Sequence, residues 1–162
     1  MKKFCVIMVL TLLLGGCNAR ETFETVDDGL DVPAVAQAGK IMVNLPENAL
    51  EEVMEGEDEA LYLCEGYHVV LQTLPGGDLS STLRNITGYG KEEVCVMETK
   101  RYGMDRYDFV WTSASEQGDQ IGRGSILSDG TYHYCVSVMG SAEDYLQYED
   151  AFHTLLSSFY VN

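Results

Sequence analysis

The chain has 162 residues, with 26 acidic against 10 basic side chains and a formal net charge of −16. A surface of that sign repels phosphate backbones and anionic headgroups, which argues against nucleic-acid binding and against membrane attachment through a basic patch. The length suits one domain with a packed core, and the charge is accounted for by solubility outside the cell.

Lys2 and Lys3 precede an apolar run from Phe4 to Leu14 that closes on Leu14-Gly15-Gly16-Cys17. A basic end, a short apolar segment and small residues before a cleavage point are the marks of an export signal, and the run is too short for a permanent membrane helix. The Leu-Gly-Gly-Cys ending resembles bacterial lipoprotein signal peptides. That resemblance implies cleavage before Cys17, which becomes the first residue of the mature protein and carries a diacylglyceryl group. Residues 1–16 are then the signal, and the mature chain of 146 residues keeps 8 basic against 26 acidic side chains, a formal charge of −18.

Residues 17–39 comprise the lipidated Cys17 and a stretch from Asn18 to Gly39 with no sustained period, read as an acidic tether. A flexible segment of that length spans about 25 Å and holds the domain clear of the headgroups. The globular domain is expected over 40–162. Ile41 to Pro46 predicts a strand, and Glu47 to Ala60 a loop or short helix in which Ala49, Leu50, Val53 and Met54 could share a face. Leu61–Glu65 and Tyr67–Leu74 predict two strands joined at Gly66. Asp78 is a candidate N-cap for a helix over 79–87, with Leu79, Leu83 and Ile86 on one face and Gly88 just past its end.

From Glu93 to Met139 the apolar residues recur with period two, through Val94 and Val96, then Tyr107, Phe109 and Trp111, then Tyr132, Tyr134, Val136 and Val138. Turns at Gly103, Glu116–Gly118 and Ser128–Gly130 make this an antiparallel meander. From Ser141 onwards Tyr145, Leu146, Phe152, Leu155, Leu156 and Phe159 return at helical spacing, which predicts an amphipathic helix able to cover the sheet.

Cys64, Cys95 and Cys135 lie in the expected domain and none forms a Cys-x-x-Cys pair. Two readings stay open: one disulfide plus a free thiol, or three reduced thiols acting as small apolar residues, which an anaerobic habitat would favour. His133 and Cys135 are the nearest approach to a base and nucleophile. Side chains two apart on an extended strand project in parallel, however, and are poorly placed to bond. His68 and His153 are isolated, the acidic clusters lack calcium-loop spacing, and no cofactor or metal is called for. Gly118, Gly122 and Gly124 sit inside strand-like sequence, where glycines mark bulges, strong twist or a closely packed helix rather than a phosphate loop. Tyr107, Trp111, Tyr132 and Tyr134, with Arg106 or Arg123, are candidates to line a binding groove; the other reading is that Tyr107, Phe109, Trp111, Tyr132 and Tyr134 cover the inner sheet face.

Leu45-Pro46-Glu47-Asn48, Tyr62-Leu63-Cys64 with Gly66-Tyr67, Gln72 to Asp78, Arg106-Tyr107 with Val110-Trp111-Thr112, and Asp129-Gly130 with Tyr132-His133-Tyr134 resemble a group of uncharacterised lipoproteins from anaerobic, gut-type Gram-positive bacteria. The order of elements resembles the PsbP-like fold. That resemblance implies an α+β domain, a single twisted antiparallel sheet of six or seven strands covered by a C-terminal helix and flanked by the helix over 79–87. It implies a binding protein and transfers no catalytic residue. The sequence thus points to a membrane-anchored extracytoplasmic lipoprotein that binds a protein, peptide or glycan or assists an envelope complex. A small envelope enzyme, either thiol-dependent or a hydrolase using acidic residues, is the alternative.

Overall fold

The structure, a computed structural model, describes residues 37–52, 58–116 and 118–162. The export signal, Cys17, most of the tether, and Val53 and Met54 of the expected helical face lie outside the described residues. Among the described residues nine strands and two helices follow in order: β1 (Ile41–Met42), β2 (Leu50–Glu52), β3 (Glu59–Cys64), β4 (Tyr67–Pro75), α1 (Leu79–Thr87), β5 (Cys95–Arg101), β6 (Met104–Ser115), β7 (Gly118–Ser128), β8 (Tyr132–Ser141), α2 (Tyr145–Ser158) and β9 (Tyr160–Val161).

Strands β2 to β8 form one seven-stranded antiparallel sheet in the order β2-β3-β4-β8-β7-β6-β5. The expected α+β class and meander are present. After β4 the chain crosses through α1 to the far edge and returns by hairpins until β8 pairs along the whole of β4. The β3–β4 turn sits where Gly66 was expected to make it, at φ +83°. A side chain there would also run into the Tyr148 hydroxyl.

Two expectations near the start are corrected. The strand over Ile41–Pro46 is only two residues long and pairs with β9 in a separate two-stranded sheet, closed by reciprocal bonds of 3.0 Å between Lys40 and Asn162. Beyond it the backbone turns to side chains, Asn44 N–H donating to Ser158 Oγ. Leu50–Glu52, expected as loop or helix, is an edge strand on β3, where pairing overrides a weak helical pattern; Leu50 is exposed. The folded body also reaches back past Lys40, since Ala38 packs on the core and Gly39 N–H donates to the Tyr134 hydroxyl at 3.0 Å.

Each helix takes one face of the sheet. The expected N-cap of α1 is present, Asp78 accepting from Ser80 and Ser81 amides, and Gly88 closes the helix at φ +83°. Instead of flanking the sheet, α1 lies on the face opposite α2, burying Leu83 against Phe109, Trp111, Ile126 and Cys135. Helix α2 buries Phe152, Leu155 and Leu156 on Val69, Leu127, Val136 and Val138. Each large side chain so buried stabilises the fold by about 1.5–3 kcal/mol. Leu146, expected on the covered face, is 82% exposed. The helix begins only at Tyr145, after a turn, and its buried stripe runs through its second half.

No disulfide is available among Cys64, Cys95 and Cys135, which removes the reading of one bridge plus a free thiol. Cys64 and Cys95 lie on strands five steps apart, about 24 Å at the usual strand spacing, far beyond a bridge. Register places Cys135 on the other face from both.

Candidate functional site

On the α1 face the helix covers the aromatic centre of the sheet. Register sets Trp111 opposite Gly122 and Phe109 opposite Gly124. The two rings stack 5.6 Å apart and lie across the glycines, so a Cβ at either glycine would fall inside a ring. These glycines therefore make neither bulge nor helix contact. They are the floor on which β6 lays its aromatics.

On the same face His133 Nδ1 and Thr82 Oγ1 of α1 share a hydrogen bond of 2.7 Å, while Cys135 Sγ donates to the His133 carbonyl at 3.6 Å. The imidazole and thiol do not bond to each other. Burial pushes the Cys135 thiol well up; burial also lowers His133, against a smaller opposing pull from Asp129. Both shifts favour the neutral ring and the protonated thiol. Cys64 is likewise pushed up by burial, partly offset by its contact with Tyr67.

The α2 face is different. Between the C-terminal half of α2 and strands β5, β6 and β7 runs a cleft of about 330 Å³, with Arg106, Asp108 and Arg123 among its lining and Met97, Val110 and Leu156 as apolar wall. Arg106 is 9% exposed. Its Nε and Nη2 grip Asp108 at 2.8–3.0 Å, and Nη2 also donates to the Leu156 carbonyl at 3.2 Å. Helix α2 has no basic residue in its last turn, so sheet arginines answer its terminal carbonyls: Arg106 on Leu156 and Arg101 on Ser157, the latter at 2.7 Å. Arg123, at the other end of the cleft, donates to the Tyr145 hydroxyl at 3.2 Å.

This face also holds the two buried side-chain atoms without a partner among the described residues, Arg106 Nη1 and Ser125 Oγ. Register sets Ser125 opposite Asp108, beside Arg106. A buried polar group left unpaired costs about 1–3 kcal/mol, more when charged, so this site keeps an unused bonding capacity that the α1 face does not.

The six residues expected to share a groove are therefore divided. Tyr107 and Trp111 point to the α1 face; Arg106, Arg123, Tyr132 and Tyr134 to the α2 face. Tyr134 is fully buried, its hydroxyl accepting from Gly39 and donating to Asp129 Oδ2 at 2.9 Å. Asp129 also caps the β7–β8 turn through the Thr131 and Tyr132 amides. Burial alone would raise its carboxyl, but these bonds win and hold it below the usual range. Arg106 and Arg123 alone of the six line the cleft. Asp108 was missed, although a carboxylate two residues after an arginine on a strand shares its face, and an arginine is long enough to bend onto it. Among the described residues no three His, Cys, Asp or Glu side chains converge as a metal site, and no helix is long and apolar enough to cross a membrane.

No family model matches the chain, and no curated protein matches it in sequence. Solved structures do. The cyanobacterial PsbP protein CyanoP from Synechocystis superposes with a TM-score of 0.57 at 9% identity, covering 93% of this chain and 99% of that one. LpqN, involved in cell envelope biogenesis of Mycobacterium tuberculosis, gives 0.48 at 8% identity over 78% and 87% of the two chains. The Ran-binding protein Mog1p from Saccharomyces cerevisiae gives 0.48 at 10% identity over 75% and 89%. The likeness to CyanoP makes the fold PsbP-like, and at this identity it speaks for the fold alone.

Proposed function

We propose that this PsbP-like domain is the extracytoplasmic part of a lipoprotein of the kind found in anaerobic Gram-positive bacteria, anchored to the outer face of the cell membrane through diacylglyceryl-Cys17. There it acts as a non-enzymatic binding or accessory module for a protein, peptide or envelope ligand. The observation that carries the anchor is the run from Lys2 to Cys17, which ends in Leu-Gly-Gly-Cys. The binding role is supported by the cleft at Arg106 and Arg123, which falls within the size range of ligand pockets.

A small envelope enzyme is the competing class. Its best nucleophile is Cys135, whose thiol is held protonated by burial and is turned to a carbonyl, while His133 is engaged by Thr82. That arrangement supports structure more than catalysis.

Metabolic labelling with an alkyne fatty acid in a Gram-positive host tests the anchor. Wild type should take up the label and sediment with membranes. Cys17→Ala should be unlabelled and leave the membrane fraction. An unlabelled wild-type protein overturns the anchor.

A further inference from the structure

Seven cationic side chains lie among the described residues, and three of them, Arg101, Arg106 and Arg123, gather at α2. Arg101 and Arg106 answer helix carbonyls. Arg123 does not: its hydrogen bond is to a neutral phenol, and among the described residues it forms no ion pair. In a chain this acidic, a half-buried arginine facing a cleft without a carboxylate of its own is an unfilled position.

Two arginines, one aspartate and His153 line the cleft; counting the imidazole as neutral, the formal sum is one positive charge, which a monoanion balances and a phosphate dianion exceeds. Asp108 already occupies one edge of the Arg106 guanidinium, with Nη1 left unpartnered beneath the surface. There, screening is weak and its charge adds to the field in the cleft. Apart from His153 and Ser157 of α2, the rest of the wall is apolar and partly open, Met97 being 59% and Val110 39% exposed. The volume of about 330 Å³ stands at the small end for ligand pockets.

We infer that the cleft is a binding site for a small carboxylate carrying an apolar side chain, the chemistry of a peptide C-terminus. Arg123 takes the carboxylate by charge-assisted bonds, Arg106 supplies positive field from below, and Met97, Val110 and Leu156 hold the side chain. The inference rests on the reading of the domain as a binding module and gives that module its ligand class.

Cys95 lines the same cleft and is exposed, whereas Cys135 is buried, so its alkylation reports occupancy. Full-length protein in detergent is treated with iodoacetamide, and modification of the Cys95 peptide is timed by mass spectrometry. The probes are N-acetyl-phenylalanine, its amide, inorganic phosphate and a peptide-containing envelope extract. The carboxylate should slow Cys95 alkylation several-fold while the amide and phosphate leave it unchanged. Arg123→Gln should abolish protection without moving the melting midpoint, and Arg123→Lys should keep part of it. Equal protection by the amide or by phosphate, or full protection in Arg123→Gln, overturns the inference. Protection by the extract without protection by the carboxylate leaves the binding module standing and removes its assigned ligand. No protection by any probe removes both.

Discussion

Alternate residues of the same strands build two unlike faces. On the α1 face a nine-residue helix closes over stacked aromatics laid on bare glycines, and the buried imidazole and thiol there both have partners. On the α2 face a longer helix fills the centre of the sheet but leaves a charged cleft towards β5, with Arg106 Nη1 and Ser125 Oγ unanswered. The residue types that first suggest chemistry, Cys135 and His133, belong to the face where packing has already used them. The capacity to bind something else lies where packing leaves polar groups unused.

The contrast can be broken first by emptying the α2 core. Phe152 is fully buried among Tyr67, Tyr145 and Tyr148, and Phe152→Ala should cost about 3–5 kcal/mol in urea unfolding. On the α1 face the opposite change is damaging: Gly124→Val overfills the floor and should cost about 1–3 kcal/mol. Adding Phe109→Ala should then recover part of the loss, a non-additivity that the ring-on-glycine contact requires. Thr82→Val leaves His133 Nδ1 without its partner and should cost about 1–2 kcal/mol.

Protonation gives a milder test. Burial holds His68 and His133 below the ordinary value of 6.5, so the fold prefers both rings neutral and the unfolded chain takes up protons first as pH falls. The contribution of these two rings should be level above pH 6.5, decline below it, and level again beneath the folded values. His133→Gln should shallow that decline; an unchanged slope would mean that the ring is not held neutral. Smallest of all, Arg123→Gln should shift stability by no more than about 0.5 kcal/mol, because among the described residues it makes no ion pair.

Elements whose signals are local were legible in the sequence. Asp78 and Gly88 bracket α1 as capping chemistry dictates, and the period-two runs of Tyr107–Trp111 and Tyr132–Val138 are strands. What could not be read was which face each run presents. Register carries Tyr107 through Ile126 to Cys135, so the aromatics of β6 align with the odd residues of β8 and away from Tyr132 and Tyr134. A shift of one residue in either hairpin would reverse that, and turn geometry sets it rather than composition. The same limit hid β2, which exists because β3 offers an edge, and hid the partnership of Thr82 with His133 across 51 residues. Arg106 and Asp108 were within reach, since side chains two apart on a strand share a face. His133 and Cys135 share that spacing and stay apart, because neither is long enough to bend onto the other.

Calorimetric titration of N-acetyl-phenylalanine into wild type, Arg123→Gln and Thr82→Val, with the unfolding midpoint of each, tests the division between the two faces most directly. Arg123→Gln should lose binding and keep its stability, while Thr82→Val should lose stability and keep binding. An Arg123→Gln protein that binds as tightly as wild type, or a Thr82→Val protein that folds as stably but no longer binds, would contradict it.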